Sequence, residues 1–265
     1  MDILNWDERL LPYSQTVSEL TVKLQSLAAG FERLDKPSPI ERVFGRVKSV
    51  SSIVEKAKRK NIPSERMFTD IEDIAGIRII ARFLSDIDAV IGLLRGRNGL
   101  DLTIIRERDY ISNIKQSGYR SYHIIANYPV ITAFGLTETL CEFQIRTMAM
   151  DFWATGEHSL RYKYKGNIPG HIQRRLITTS EAAARLDNEM NEIRDDILEA
   201  QSSVNLRMAL IDDILKNIQA LHYDSNLKQV EELNADFYRI YESGTMEELA
   251  EFNRQIKLIR EIYRT

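Results

Sequence analysis

One cysteine, Cys141, is all the thiol chemistry this chain of 265 residues carries. No intrachain disulfide can form, which points to a reducing compartment. Cys141 sits in an alternating apolar run and is expected to pack as a small hydrophobe. No apolar stretch reaches the ~20 residues that a membrane-spanning helix requires. The opening, Met1 to Trp6, is acidic and lacks a signal-peptide pattern. A cytoplasmic location without a membrane partner is therefore expected. A large charge excess is also missing: the formal net charge is −3. Sequence-independent binding to duplex nucleic acid usually needs a clear basic excess, so that class is not expected. Nothing reads GxxxxGK[ST], GxGxxG, CxxC or HExxH, which excludes the common phosphate-loop, dinucleotide and zinc motifs.

Proline and glycine are scarce where they would interrupt helices. After Gly170 there is no proline and one glycine, Gly244. That region is read as helical. Ile193, Ile197, Ala200 and Val204 form one apolar stripe, and Leu249, Phe252, Ile256, Ile259 and Tyr263 form another. Thr245 and Glu248 make a capping box for the last helix. Each stripe must be covered, either by folding back within one chain or by a partner chain.

With 43% hydrophobic residues the chain can bury a sizeable core. Three regions are expected: a helical segment over 1–40, a mixed domain over 41–203, and a helical extension over 204–265. In the first, Val17, Leu20, Leu24 and Leu27 recur at helical spacing after Pro12. In the second, strand-like runs at Ile74–Phe83, Leu102–Ile105, Ser121–Tyr128 and Thr139–Arg146 alternate with helical ones at Ile53–Ala57 and Asp86–Arg97. Pro129 and Gly135 are expected to separate the last two strands. The fold class is α+β, a mixed sheet flanked by helices.

Positive charge is local. Arg42, Arg46, Lys48, Lys56, Lys58, Arg59 and Lys60 face a single acid, Glu55. Such a run is a solvated helix face or a polyphosphate pocket. Period-2 reasoning adds a second cluster. Glu142, Gln144 and Arg146 share one face of a strand whose other face holds Cys141, Phe143 and Ile145. A polar face of that kind borders a cleft or an exposed edge. Tyr119, Ser121 and His123 alternate in the same way, after Gly118 and with Lys115 upstream. Gly118 permits a turn or a close approach to a ligand. Arg78 lies inside the Ile-rich strand, and an arginine so placed needs a partner. Asp73 at that strand's mouth and Glu142 on another strand make a candidate Mg²⁺ pair, because magnesium takes one or two carboxylates and completes its shell with water and phosphate oxygens.

Four segments carry a resemblance: GRVKSVSSIVEKAKRK (Gly45 to Lys60), DIAGIRII (Asp73 to Ile80), RDYISNIKQSGYRSYH (Arg108 to His123) and EFQIRTMAMDFWATGEHSLRYKYKG (Glu142 to Gly166). Together they resemble the synthetase domain of the RelA/SpoT family, specifically its single-domain members, the small alarmone synthetases. The resemblance implies a fold related to nucleotidyltransferases. It implies transfer of the β,γ-pyrophosphate of ATP to the 3′-hydroxyl of GTP or GDP, with Mg²⁺ as cofactor and a homotetramer as the assembly. By the same resemblance Arg46 and Arg78 would sandwich adenine, and Lys48, Ser52, Lys56 and Arg59 would hold the ATP phosphates. Asp73 and Glu142 would bind Mg²⁺, with Glu142 also the base for the 3′-hydroxyl. Tyr119 would stack on guanine, Lys115 and His123 would hold the acceptor's phosphates, and Gln144 and Arg146 would line the site. None of the four histidines is followed by Asp, so the His-Asp metal pair of the family's hydrolase domain is absent and synthesis alone is expected.

Overall fold

The computed structural model describes residues 6–163, 168–224 and 227–264, with the side chains of 162–163, 222–224, 227–229 and 262–264 outside the description. The start before Trp6, the Tyr164–Gly166 end of the fourth matching segment and the Tyr263 side chain therefore lie outside the described residues. The chain forms two compact units, residues 1–191 and 192–265.

The first unit is built on a five-stranded mixed sheet in the order β1-β2-β5-β4-β3. The strands are β1 Arg42–Val47, β2 Ala75–Ala81, β3 Thr103–Asp109, β4 Tyr122–Thr132 and β5 Gly135–Thr147. β2 and β5 run parallel, and the other three pairings are antiparallel. The helices of this unit include α1 Trp6–Arg33, α2 Val50–Lys60, the single turn α3 Met67–Asp70, α4 Leu84–Arg95 and α5 Met148–Lys163. α6 Gly170–Asp224 begins here and continues into the second unit.

Alternation divides the sheet into two faces. One carries Ile77, Ile79, Ile124, Phe143 and Ile145, all fully buried, in one cluster with Leu20 and Leu24 of α1 and Val90 and Leu94 of α4. Cys141 belongs to the same cluster, as expected of a small hydrophobe. α1 crosses β1 so closely that a Cβ at Gly45 would stand 2.4 Å from Val17 Cγ1 and 2.6 Å from Thr21 Oγ1. Only glycine fits there. The opposite face of the sheet is polar, and the register lines it up in rows. Arg46, Gly76, Glu142, Ile125 and Arg106 form one row across all five strands, and Phe44, Arg78, Gln144, His123 and Arg108 form the next.

Several details depart from the sequence expectations. α1 starts at Trp6 and contains Pro12 rather than following it. Trp6 and Leu10 pack against the core, and this packing outweighs the hydrogen bond that proline removes. Pro129 lies inside β4, not between strands. β3 pairs no further along β4 than Asn127, so at Pro129 a missing N–H toward that free edge breaks no ladder bond. The basic run is no single helix face: Arg42 and Arg46 are on β1, and Lys56, Lys58, Arg59 and Lys60 are on α2.

The second unit comprises the later part of α6 with α7 Leu227–Ser243 and α8 Met246–Arg264. Ile211, Ile214, Ile218 and Leu221 of α6 meet Val230 and Phe237 of α7 and Leu249, Phe252 and Ile256 of α8 in a core of their own. The α8 stripe is thus covered within the unit. The expected capping box is present: Glu248 N–H donates to Thr245 Oγ1 at 3.2 Å, and Thr245 N–H donates to Glu248 Oε2 at 2.7 Å. A polar thread crosses this core. Asn217 donates to Asn253 at 3.1 Å, and Asn253 donates to Asp213 at 2.9 Å. Ile193, Ile197 and Val204 on α6 remain exposed.

Candidate active site

The polar face of the sheet gathers the residues singled out from the sequence. Glu142 of β5 is almost fully buried. Its Oε1 is 3.0 Å from His123 Nδ1 on β4, and its Oε2 accepts from Gln144 Nε2 at 2.7 Å. Gln144 Oε1 accepts from Arg146 Nη2 at 2.9 Å, and the same nitrogen donates to Tyr119 Oη at 2.7 Å. Tyr119 Oη closes the circuit at 2.8 Å from His123 Nε2. Five side chains therefore form a closed hydrogen-bonded ring. The ring assigns its own protons. Arg146 can only donate, so the Tyr119 hydroxyl accepts from it and is free to donate to His123 Nε2. His123 then carries its proton on Nδ1 and donates to Glu142.

Burial by itself would raise the Glu142 carboxyl. The hydrogen bonds from His123 and Gln144 and the charge of Lys56 outweigh it and hold the group at about 2. Glu142 is thus an anion throughout the physiological range. That suits it to a cation and to a hydroxyl donor, and makes it a weak base.

Asp73 lies between α3 and β2. Lys48 Nζ donates to its Oδ2 at 3.1 Å, and Lys56 Nζ is 2.9 Å from its Oδ1. Oδ1 is buried and has no aligned hydrogen bond, so one carboxylate lone-pair direction is unused. Burial opposes ionisation here as well, but Lys56 and Lys48 prevail and keep the Asp73 carboxyl below its ordinary value. Two ionised carboxylates that both feel Lys56 fit the hard oxygen donors that Mg²⁺ needs.

α2 supplies the remaining cations. Ser49 caps it, accepting from Ser52 N–H at 3.4 Å and donating to Ser52 Oγ at 2.9 Å. Ser52, Lys56 and Arg59 are spaced by four and three residues, so they share one face, while Ile53 and Ala57 are buried on another. Asn61 ends the helix in the left-handed conformation, φ 53°. At the β1 edge a pocket of about 200 Å³ is lined by Phe44, Gly45, Arg46, Gly76, Ile77, Arg78 and Gln144. Arg46 and Arg78 are therefore brought together at one cavity.

At the other end of the face, Lys115 Nζ lies 3.9 Å from the Tyr110 ring centre and 4.7 Å from that of Tyr119. Burial, with Arg108, Arg146 and Lys56 nearby, lowers the Lys115 ammonium's pKa against the pull of Glu142. Gly118 has φ 88°, and a Cβ there would stand 2.9 Å from Ser180 Cβ. Its close approach is to helix α6 rather than to a ligand. Arg120 donates to Ser180 O and Oγ at 2.9 and 2.7 Å and fixes the same junction.

The structure adds residues that sequence reasoning did not single out. Tyr110 meets the His123 ring edge-on at 5.1 Å. Glu72, beside Asp73, is paired with Arg106 at 3.0 Å and Arg108 at 2.9 Å. Asp151 of α5 is paired with both Arg78 and Arg146. For Arg106 and Arg108 a signal existed in their period-2 spacing on β3. For Asp151 and Tyr110 the only signal was membership in the matching segments.

Comparison with known proteins agrees with this geometry. Residues 45–167 match the RelA_SpoT region, described as found in RelA / SpoT proteins. The chain is 52% identical over 203 residues to the GTP pyrophosphokinase YjbM of Bacillus subtilis (strain 168), a match covering 77% of this chain and 95% of that protein. Among solved structures, small alarmone synthetase 1 from Bacillus subtilis, bound to its product pppGpp, superposes with a TM-score of 0.69 at 52% identity. That match covers 72% of this chain and 97% of the other. A GTP pyrophosphokinase family protein from Streptococcus pneumoniae gives a TM-score of 0.70 at 49% identity, over 75% of this chain and 97% of that one.

Proposed function

The chain belongs to the RelA/SpoT family, and from that premise we propose that it is a GTP pyrophosphokinase, transferring the β,γ-pyrophosphate of ATP to the 3′-hydroxyl of GTP or GDP. The products are pppGpp or ppGpp and AMP. The observation that carries this reading is the polar face itself: a two-arginine pocket at one end, two ionised carboxylates at the centre, and a tyrosine with a lysine and a histidine at the other.

Arg46 and Arg78 hold the donor base, since a guanidinium plane stacks on a ring. Lys48, Ser52, Lys56 and Arg59 hold the donor's phosphates along the face of α2 that the last three share. Asp73 and Glu142 hold Mg²⁺, which when bound neutralises charge on the phosphate oxygens. Tyr119 stacks on the acceptor's guanine, Lys115 holds its phosphates, His123 joins Lys115 there by giving up the Tyr119 hydrogen bond at Nε2, and Gln144 and Arg146 line the site. Lys115 Nζ and Arg146 Cζ lie 4.7 and 5.1 Å from the Tyr119 ring centre, so a stacked base shares the ring with these cations.

Glu142 orients the 3′-hydroxyl and accepts its proton. A base near 2 is weak, but phosphoryl transfer passes through a loose transition state in which the nucleophile's proton leaves late. His123 already donates to Glu142 and steadies the carboxylate in that role. The cations that hold the phosphates stabilise the migrating charge.

The assembly proposed is a homotetramer. Its support is the exposed α6 stripe of Ile193, Ile197 and Val204, 43%, 59% and 56% exposed. A cytoplasmic location is proposed with it; among the described residues no helix is long and apolar enough to cross a membrane.

The test is an acceptor panel. Purified protein with labelled ATP and Mg²⁺ receives GTP, GDP, GMP, an adenosine nucleotide or tRNA in turn, and products are separated. Label on a guanosine 3′-diphosphate supports the reading. Label only on an adenosine nucleotide or on tRNA assigns the same chemistry to another acceptor.

A further inference from the structure

A single carboxylate oxygen joins the two ends of the site. Asp151 Oδ1 lies 3.2 Å from Arg78 Nη1 and 3.1 Å from Arg146 Nη1. Arg78 faces the two-arginine pocket, and Arg146 belongs to the five-membered ring that holds Tyr119 and Glu142. Among the described residues Asp151 is the one acid paired with either guanidinium. Without it two partly buried cations would face each other. Burial and the proximity of Arg146 already lower the Arg78 pKa, and Asp151 opposes them.

The geometry divides each guanidinium between edge and partner. Arg78 presents Nη1, an edge atom, to Asp151, which leaves its flat face for a base. Its Nε is buried without a partner, so the group has no competing hydrogen bond at that atom. Arg146 presents Nη1 to the same oxygen and Nη2 to Tyr119 and Gln144. Fixing one guanidinium therefore fixes Asp151 and, through it, the other.

We infer that Asp151 is a positioning residue that couples the donor and acceptor subsites, so that occupation of the Arg78 pocket by the ATP base tightens binding of the guanosine nucleotide at Tyr119. This rests on the functional reading above. The coupling arises because ordering shared by two sites need be supplied only once, by whichever ligand binds first. It is reciprocal: the acceptor tightens the donor by the same factor.

The experiment is calorimetric titration of GDP into the full chain with Mg²⁺, alone and with saturating α,β-methylene ATP. Transfer breaks the bond from the bridging oxygen to the β-phosphorus, so a methylene bridge there blocks reaction and leaves binding. In the wild type the analogue should tighten GDP by about 5-fold or more, the lower end of ordinary allosteric coupling. In Asp151→Asn the carboxamide keeps the shape and loses the charge. The tightening should fall below about 2-fold while GDP and the analogue each still bind alone. A residue that merely supported the fold would weaken both single affinities and leave their ratio alone. Should Asp151→Asn not fold, Asp151→Ser runs the same comparison. Unchanged coupling in either folded variant, or a wild type with no coupling although both nucleotides bind, overturns the inference. A wild type that binds neither nucleotide overturns the functional reading and this inference with it.

Discussion

His123 Nδ1 stands 3.0 Å from Glu142 Oε1, and this contact does most to keep a buried carboxylate ionised. The first prediction follows from its sign. Glu142 titrates at about 2 in the fold, against 4.5 ordinarily. A depressed pKa contributes stability that is complete above about 4.5 and is lost as pH falls through 2. Glu142→Gln lacks that contribution. Between pH 7 and pH 3 the wild type should lose on the order of 2 kcal/mol more stability than the variant in chemical denaturation. Equal losses would remove the ion from the account.

Tyr119 has two functions that substitution separates. Tyr119→Phe keeps the ring and cuts the hydrogen-bonded circuit at His123 and Arg146. Tyr119→Ala also removes the stacking surface, worth about 1–3 kcal/mol per base. Steady-state kinetics should show the acceptor KM rising roughly 5- to 100-fold in the alanine variant, well beyond any change in the ATP KM. Equal rises for both substrates would make Tyr119 a packing residue.

Asp73 is paired with both Lys48 and Lys56. Asp73→Asn removes one anionic metal ligand, so half-maximal activity should need at least about 10-fold more Mg²⁺. A magnesium dependence like that of the wild type would take Asp73 out of the metal site.

Much of this was legible in the sequence, for reasons that differ by element. β2 and β5 announced themselves because both pack on the core and so read as Ile-rich or alternating runs. β1 did not, because it is an edge strand in which only Val43 is buried, and its arginines hide the alternation. On β5, alternation alone placed Glu142, Gln144 and Arg146 together, and their hydrogen bonds agree with that placement. Asp151 was not found, since an acid in the first turn of a helix ordinarily signals only a favourable dipole interaction. Its pairing with Arg78 depends on how β2 and β5 lie side by side, which no local pattern encodes. The α8 stripe was read correctly as apolar, but only tertiary structure could show that α6 and α7 cover it.

The α6 stripe carries the assembly prediction. Ile193 and Ile197 are exposed on α6, and covering such side chains stabilises a contact by roughly 1.5–3 kcal/mol each before entropic costs. Light scattering of the full chain at micromolar concentration should report a tetramer, and Ile197→Asp should shift it toward smaller species. A monomeric wild type would contradict the proposed assembly.

The most direct measurement of the central claim is the adenosine product made during turnover with ATP, Mg²⁺ and GDP. Pyrophosphate transfer releases one AMP for every guanosine 3′-diphosphate formed, whereas transfer of a single phosphoryl group would release ADP. The account predicts AMP and ppGpp in equal amounts, with both falling together by roughly 10²–10⁴-fold in Glu142→Gln. ADP as the matching product, or AMP and ppGpp at the wild-type rate in Glu142→Gln, would contradict it.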